Sequence, residues 1–258
     1  MSHVFAICGR ELRSMFTTPD AYVLIGVYMF FAGFVFFFSL GSFILAIQQI
    51  QALGATQYLE EWNLQDKVVA DSLSTFSILL GIVVPLLAMR GFAAERATGS
   101  IELLLTSPIT SAEIVIGKFL AIAILLAVVT ALTSLFVALL FLYGNPEVWQ
   151  TLSGLQILFL YALAIAAISS FVSSLTRSQI VAGILGIVIS ILLLFLPVAG
   201  YFSQSETLRN LLIWLGPNTH LEPALRGDVR SEDLAYFAIV VVAFLSLARA
   251  AVDSLRWS

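Results

Sequence analysis

Long runs of apolar residues alternate with short polar segments along this chain. A helix that crosses a bilayer needs about 20 mostly apolar residues. Six runs are candidates: 21–47, 72–89, 114–143, 155–175, 179–198 and 234–248. The second is the shortest in strictly apolar residues, so a buried or re-entrant segment is the alternative there. We therefore predict an all-α integral membrane protein with six transmembrane helices.

The polar leader before the first run predicts an amphipathic helix. Its apolar residues recur at intervals of three or four: Val4, Cys8, Leu12, Met15 and Phe16. Its polar side carries Arg10, Glu11 and Arg13. Pro19 and Asp20 favour the start of a new helix directly afterwards. Such a leader either anchors the chain at the membrane surface or binds a partner.

The segment 90–113, between the second and third runs, has more internal structure than a simple connection needs. Gly99 can end one helical turn, and Ser100 can cap a second, leucine-rich turn that ends near Pro108. Thr110 and Glu113 have the spacing of a capping box, which places the start of the third run there. We interpret this segment as a docking element, and an interfacial helix lying on lipid is the alternative.

The composition excludes several classes of protein. Hydrophobic residues make up 60% of the chain and charged residues 11%, with a mean hydropathy of +1.02. A soluble domain carries roughly 25% charged residues. The net charge of -4 provides no basic field for a nucleic acid. Because Cys8 is the only cysteine, neither an intrachain disulfide nor a cysteine-based zinc cluster can form.

The basic residues predict the orientation of the spans. With both termini in the cytoplasm, eight face inward: Arg10, Arg13, Arg90, Arg96, Lys118, Arg177, Arg249 and Arg256. Four face outward: Lys67, Arg209, Arg226 and Arg230. The middles of the runs contain no ionisable residue, which argues against a proton-coupled transporter or an ion channel.

Small and aromatic residues within the runs have ordinary explanations. Gly26, Gly33 and Gly41 in the first run, and Gly183 and Gly186 in the fifth, would let helices approach closely. We expect packing inside one subunit, with a dimer face as the alternative. The phenylalanines from Phe30 to Phe38 point all around a helix, which indicates contact with lipid.

The outer segment 199–233 contains an apolar stretch, Leu211 to Leu215, that is too short to span a membrane. A re-entrant helix or a surface helix is expected there. His220 and His3 are the only histidines and lie on opposite sides of the membrane, so we predict no metal site. The chain has no catalytic constellation, and it lacks the Gly-x-x-x-x-Gly-Lys-Ser/Thr loop that wraps phosphates.

The stretch from Glu95 to Pro108 resembles the cytoplasmic motif of type-2 ABC exporter permeases, in particular the gliding-motility-like branch. The leader from Arg10 to Pro19 and the late loop from Leu215 to Asp228 are also similar to that branch. With the six-span layout as its frame, the resemblance covers essentially the whole chain.

The resemblance implies one permease domain over residues 1–258, with an elbow helix at 1–19, a coupling loop at 90–113 and an outer loop at 199–233. It implies that a separate ABC ATPase subunit binds the coupling helix and holds ATP and magnesium, so the chain itself is not an enzyme. The residues carried over for docking are Glu95, Arg96, Gly99, Ser100, Ile101, Glu102, Leu103, Leu104, Thr106 and Pro108. The elbow residues are Arg10, Glu11 and Arg13, and the outer-gate candidates are Trp214, Pro217 and His220.

The function expected from the resemblance is ATP-driven export across a bacterial inner membrane. A second permease copy or a related permease would complete the transporter as a homodimer or heterodimer. A hydrophobic or amphipathic substrate fits the uncharged spans better than a small ion. Two alternatives stay open: force transmission to an accessory protein of the envelope, and a membrane scaffold without ATPase coupling.

Overall fold

The computed structural model describes residues 2–54, 63–100, 109–143 and 146–255, and all regular structure in these ranges is helical. The helices are α1 (Ser2–Thr17), α2 (Pro19–Ala52), a π-helix (Gln65–Ala70) that continues into α3 (Asp71–Ala88), α4 (Arg90–Thr98), α5 (Ser111–Tyr143), α6 (Val148–Leu175), α7 (Gln179–Tyr201), α8 (Glu206–Leu215), α9 (Pro217–Leu225) and α10 (Ser231–Ser254). Helix α1 ends at the predicted break, and Pro19 occupies the first turn of α2.

Within the described ranges, six helical segments are long and apolar enough to cross a membrane, which confirms the predicted fold class. The second of them, Gln65–Thr98, extends beyond the predicted run on both sides. Buried polar residues such as Gln65 and Ser72 interrupt its apolar pattern. Of its most apolar 18-residue stretch, 61% is buried. Its short apolar signal therefore reflects burial among other helices rather than an incomplete crossing.

Helix α6 lies at the centre of the bundle, and 67% of its most apolar 18-residue stretch is buried. It packs against α3, α5, α7 and α10. Small residues such as Ala162 and Ala166 allow this close packing, and Tyr161 meets Phe237 of α10 edge to face with ring centroids 6.4 Å apart. Ser169 donates to the carbonyl of Ile165 one turn earlier, so its hydroxyl is satisfied inside the apolar core.

Glycines bring α7 against α3 within the same chain. A Cβ atom added at Gly186 would lie 2.8 Å from Cβ of Pro85, and one added at Gly183 would lie 3.0 Å from Sδ of Met89. At Gly33 of α2 the neighbour is the ring of Phe136, at 3.2 Å. Gly33, Gly183 and Gly186 thus serve packing inside one subunit, as predicted. Gly26 and Gly41 do not, since a Cβ atom added at either would meet no atom of another described helix within 4 Å.

Helix α2 displays most of its phenylalanines on the outside of the bundle. The exposed side chains include Phe30, Phe34 and Phe38, whereas Phe36 is buried. This pattern matches the expected contact with lipid, since apolar side chains on the bundle surface have the bilayer as their solvent.

The clusters of polar and charged side chains described below lie at the two ends of the helix bundle. The α4 end is where α1, α4 and the first turns of α2 and α5 come together. The α9 end is formed by α8, α9 and the start of α10. Those predicted functional residues that the structure describes fall at one end or the other.

Candidate functional site

Helix α1 packs directly on α5 at the α4 end. A Cβ atom at Gly117 of α5 would lie 2.9 Å from Cβ of Ile7 and 3.1 Å from the carbonyl oxygen of Val4. Ile7 and Cys8 are buried, while Phe5 remains exposed on the outer side of the helix. The leader is therefore amphipathic as predicted, but part of its apolar side contacts protein rather than lipid.

Four charged side chains from three helices form a cluster at this end, which we call the charge cluster: Arg10, Glu11, Glu95 and Lys118. Nζ of Lys118 lies 2.9 Å from Oε1 of Glu11 and 2.9 Å from Oε1 of Glu95. Nη2 of Arg10 lies 2.8 Å from Oε1 of Glu11 and 3.0 Å from Oε1 of Glu95. The charge cluster therefore ties α1, α4 and α5 together.

The charge cluster is largely shielded from solvent. The side chain of Lys118 is 3% exposed, those of Glu11 and Glu95 are each 16% exposed, and that of Arg10 is 53% exposed. The ring of Phe92 lies 5.4 Å from Nζ of Lys118 and adds a cation–π contact. A buried ammonium is stable only with such partners, because removing it from water alone is costly.

The electrostatics keep Glu11 ionised. Burial alone would raise the pKa of its carboxyl. The Lys118 ammonium and the Arg10 guanidinium lower that pKa by more than burial raises it, so the pKa lies below its ordinary value. In turn, the two glutamates outweigh the desolvation of Arg10 and raise the pKa of its guanidinium. The ion pair between Glu11 and Arg10 is thus complete at neutral pH.

Helix α4 is also attached to the end of α6. Oγ of Ser173 accepts from the backbone N–H of Phe92 at 3.2 Å and of Ala93 at 3.1 Å, and it donates to the carbonyl of Met89 at 2.9 Å. A side chain from α6 thereby caps the first turn of α4. The guanidinium of Arg96 donates to the carbonyl of Ser174, also on α6.

An ion pair between Arg90 and Asp20 connects the start of α4 to the first turn of α2. Both side chains are partly exposed, at 43% and 47%. Asp20 also lies where the dipole of α2 favours a negative charge. Arg13, the third predicted elbow residue, is exposed and makes no ion pair with any described residue.

Both described ends of the segment between α4 and α5 match the sequence. Gly99 terminates α4 in the left-handed conformation, with φ of 72°. Oγ of Ser100 lies 2.9 Å from Oγ1 of Thr98. Thr110 and Glu113 form the predicted capping box, with the Thr110 N–H 2.9 Å from Oε2 of Glu113. The remaining predicted docking residues lie outside the described residues: Ile101, Glu102, Leu103, Leu104, Thr106 and Pro108.

A buried histidine organises the α9 end. Nδ1 of His220 lies 2.7 Å from Oδ1 of Asp233, and Nε2 lies 3.0 Å from the carbonyl oxygen of Trp214. Because a carbonyl oxygen can only accept, Nε2 donates to it. The Tyr236 ring stacks on the imidazole at 4.2 Å and its hydroxyl donates to the carbonyl of Leu215. His220 is therefore buried and hydrogen-bonded through both ring nitrogens.

The three outer-gate candidates lie close together. Trp214 contacts the His220 ring edge to face at 5.9 Å, and Pro217 is buried in the first turn of α9. Helix α8 folds back along the last turns of α7, since a Cβ atom at Gly200 would lie 3.1 Å from the carbonyl oxygen of Arg209. The described residues include no group of three or more His, Cys, Asp or Glu that could hold a metal ion.

Residues 6–252 match a protein family described as ABC-2 family transporter protein. The match covers nearly the whole chain and includes both ends of the bundle. The chain belongs to the ABC-2 transporter family. Membrane proteins of this family are permease components that work with a separate ABC ATPase and are not ATPases themselves. A comparison with proteins of curated function found none that matches.

Sequence reasoning missed two features of this permease. In the sequence, Lys118 contributes only to the predicted orientation of the spans, yet it is the most buried member of the charge cluster. Ser173 lies within the predicted apolar run 155–175, and its hydroxyl nevertheless caps α4. A lysine inside an otherwise uncharged span is itself a signal that a carboxylate lies nearby.

Proposed function

We propose that this permease is the membrane subunit of an ATP-driven exporter of the gliding-motility-like branch, and that segment 90–113 is the coupling element that receives the ATPase. The family membership supports an ABC permease. The observation that carries the proposal is the attachment of α4, the first part of that segment, to three other helices: to α1 and α5 by the charge cluster, and to α6 through Ser173.

Such attachment is what a coupling element needs. When ATP binding closes two ATPase subunits, the force on segment 90–113 must move the transmembrane helices. A segment without contacts to those helices would deform under the force and leave the helices in place. Helix α4 continues the second span, and α5 starts at the other end of the segment. A displacement of the segment would therefore move the second and third spans together, with α1 following through Glu11 and Arg10.

The contacts also divide the predicted docking charges into two groups. Glu95 pairs with Lys118 and Arg10, and Arg96 donates to the carbonyl of Ser174. Since both have partners inside the permease, we assign them to positioning α4. Leu103 and Leu104 are then the apolar anchors for a groove of the ATPase, and Glu102 sets their register by charge. ATP and magnesium are held by the ATPase.

The rest of the assembly follows the same proposal. Two permease chains face each other in the inner membrane of a bacterium, with both termini in the cytoplasm, as the distribution of Lys and Arg favours. The transported molecule is hydrophobic or amphipathic, because the middles of the spans carry no ionisable group. The hairpin of α8 and α9 forms the outer gate and provides the surface for any accessory protein.

Co-purification in a mild detergent tests the docking assignment. The permease is compared with the double variant Leu103→Asp/Leu104→Asp, and with a matched control, Leu53→Asp/Val229→Asp, which places the same substitutions at exposed positions outside the described helices. We expect an ABC ATPase and vanadate-sensitive ATP hydrolysis with the wild type and the control. The Leu103/Leu104 variant is expected to lose both while still inserting into the membrane.

The outcomes separate the parts of the proposal. An ATPase that stays bound to the Leu103/Leu104 variant would show that docking occurs elsewhere. A wild-type chain that purifies without any ATPase would contradict the exporter assignment and favour a membrane scaffold.

A further inference from the structure

A cavity of about 460 Å³ lies at the α4 end, between α1, α2, α3, α4 and α5. Its size is within the range of ligand sites in proteins. One part of its wall is apolar and includes Leu24, Leu86, Leu87 and Leu125. The other part is charged and includes Arg10, Arg90 and Glu95.

Glu95 has one oxygen that the protein leaves without a partner. Its Oε1 faces both Arg10 and Lys118, whereas its Oε2 is buried and has no hydrogen-bond partner among the described residues. A buried carboxylate oxygen without a donor is costly, and most buried polar groups in proteins do have partners. A ligand that donates a hydrogen bond from within the cavity would remove this cost.

The layout of the cavity follows the profile of a bilayer leaflet. Asp20 and Arg90 lie where the polar leader meets the first span, and Leu24 lies one turn further into the apolar part of α2. With α2 crossing a bilayer, the charged side chains would lie toward the lipid headgroups and the leucines toward the acyl chains. The guanidinium groups of Arg10 and Arg90 are about half exposed and remain able to contact an anion.

We propose that this cavity binds a phospholipid with a primary ammonium in its headgroup, the chemistry of phosphatidylethanolamine. The ammonium donates to Oε2 of Glu95, the phosphate contacts the guanidinium of Arg10 or Arg90, and an acyl chain lies along Leu24, Leu86 and Leu87. A choline headgroup has no N–H to donate, and a glycerol headgroup has no positive charge. The proposal goes beyond the transport function, since this lipid is a bound component of the permease and not its cargo.

Native mass spectrometry of the full-length permease tests this directly. The purified chain is offered dioleoyl phosphatidylethanolamine, phosphatidylcholine and phosphatidylglycerol in turn. A charge-assisted hydrogen bond contributes about 1.5 kcal/mol or more, so we expect the ethanolamine lipid to bind about tenfold more tightly than the choline lipid. Glu95→Gln is expected to remove that preference.

Two further variants keep the result interpretable. Leu24→Trp leaves every charge in place and fills the cavity, so it should reduce binding of all three lipids. Glu232→Gln makes the same chemical change as Glu95→Gln at an exposed site on α10, where the side chain is 64% exposed, and should leave the preference unchanged.

Three results would overturn the proposal. The wild-type permease could bind the ethanolamine and choline lipids equally, or Glu95→Gln could keep the preference. Water-soluble phosphoethanolamine could also bind as tightly as the lipid, which would make the ligand a small soluble amine. Because these measurements need no ATPase, failure of the docking test and failure of the lipid test are independent.

Discussion

The two ends of the bundle bury a basic side chain against carboxylates in different ways. At the α4 end, Lys118 pairs with two glutamates from two other helices, and it is 107 residues away from Glu11. At the α9 end, His220 pairs with one aspartate only 13 residues away. The first arrangement joins three helices that are far apart in the sequence, while the second joins two consecutive helices, α9 and α10.

This difference indicates which end of the bundle tolerates the loss of one carboxylate. If Lys118 loses one carboxylate, the other remains within 2.9 Å. If His220 loses Asp233, no second carboxylate among the described residues contacts Nδ1, and the Tyr236 ring that stacks on the imidazole provides no acceptor in its place. Redundant pairing suits helices that shift relative to one another during a transport cycle. A single tight pair suits a segment that keeps its shape.

The largest effect is expected from Asp233→Ala at the α9 end. The substitution removes from the buried His220 ring the one carboxylate that contacts it among the described residues, and it removes the acceptor for the backbone N–H of Arg230 at the start of α10. Leaving a buried hydrogen-bonding group without its partner costs about 1 to 3 kcal/mol, and two such groups lose their partner here. We expect a loss of that size in the free energy of unfolding, measured by titration with SDS in mixed micelles.

Asp228→Ala is the matched control, since its carboxylate is 61% exposed and pairs with Arg230 on the surface. A change of less than about 1 kcal/mol is expected for it. Equal losses for the two aspartates would show that the His220 pair contributes nothing special to the α9 end.

A smaller effect is expected from Glu11→Gln at the α4 end. Glu95 still neutralises Lys118, so the loss reflects one charge-assisted contact, about 1 to 2 kcal/mol. The same unfolding titration measures it, with the exposed Glu222→Gln as the control. A loss as large as that of Asp233→Ala would contradict the redundancy of the charge cluster.

The pH dependence follows from the direction of the pKa shift. The folded protein lowers the pKa of Glu11 below its ordinary value of 4.5, so its stabilising contribution is complete above that pH and is lost as the pH falls through the lowered pKa. The difference in stability between wild type and Glu11→Gln should therefore be constant near neutral pH and shrink only in acid.

Local signals predicted much of this structure. Thr110 and Glu113 form a capping box because their spacing alone determines it, and Gly99 ends α4 for a similarly local reason. The charge cluster could not be predicted in the same way, since Glu11 and Lys118 meet only after α1 has packed on α5. The start of the second span was missed because Asp66, Lys67 and Asp71 break the apolar run, although Val68 and Val69 between them are buried.

The most direct test of the central claim is photo-crosslinking from position 104 in intact cells. A photoreactive residue replaces Leu104, and the same residue at the exposed Leu53 serves as the control. Our account predicts a crosslink to an ABC ATPase subunit from position 104 and none from position 53. Crosslinks from position 104 to lipid alone would contradict the account, because segment 90–113 would then lie on the membrane instead of receiving the ATPase.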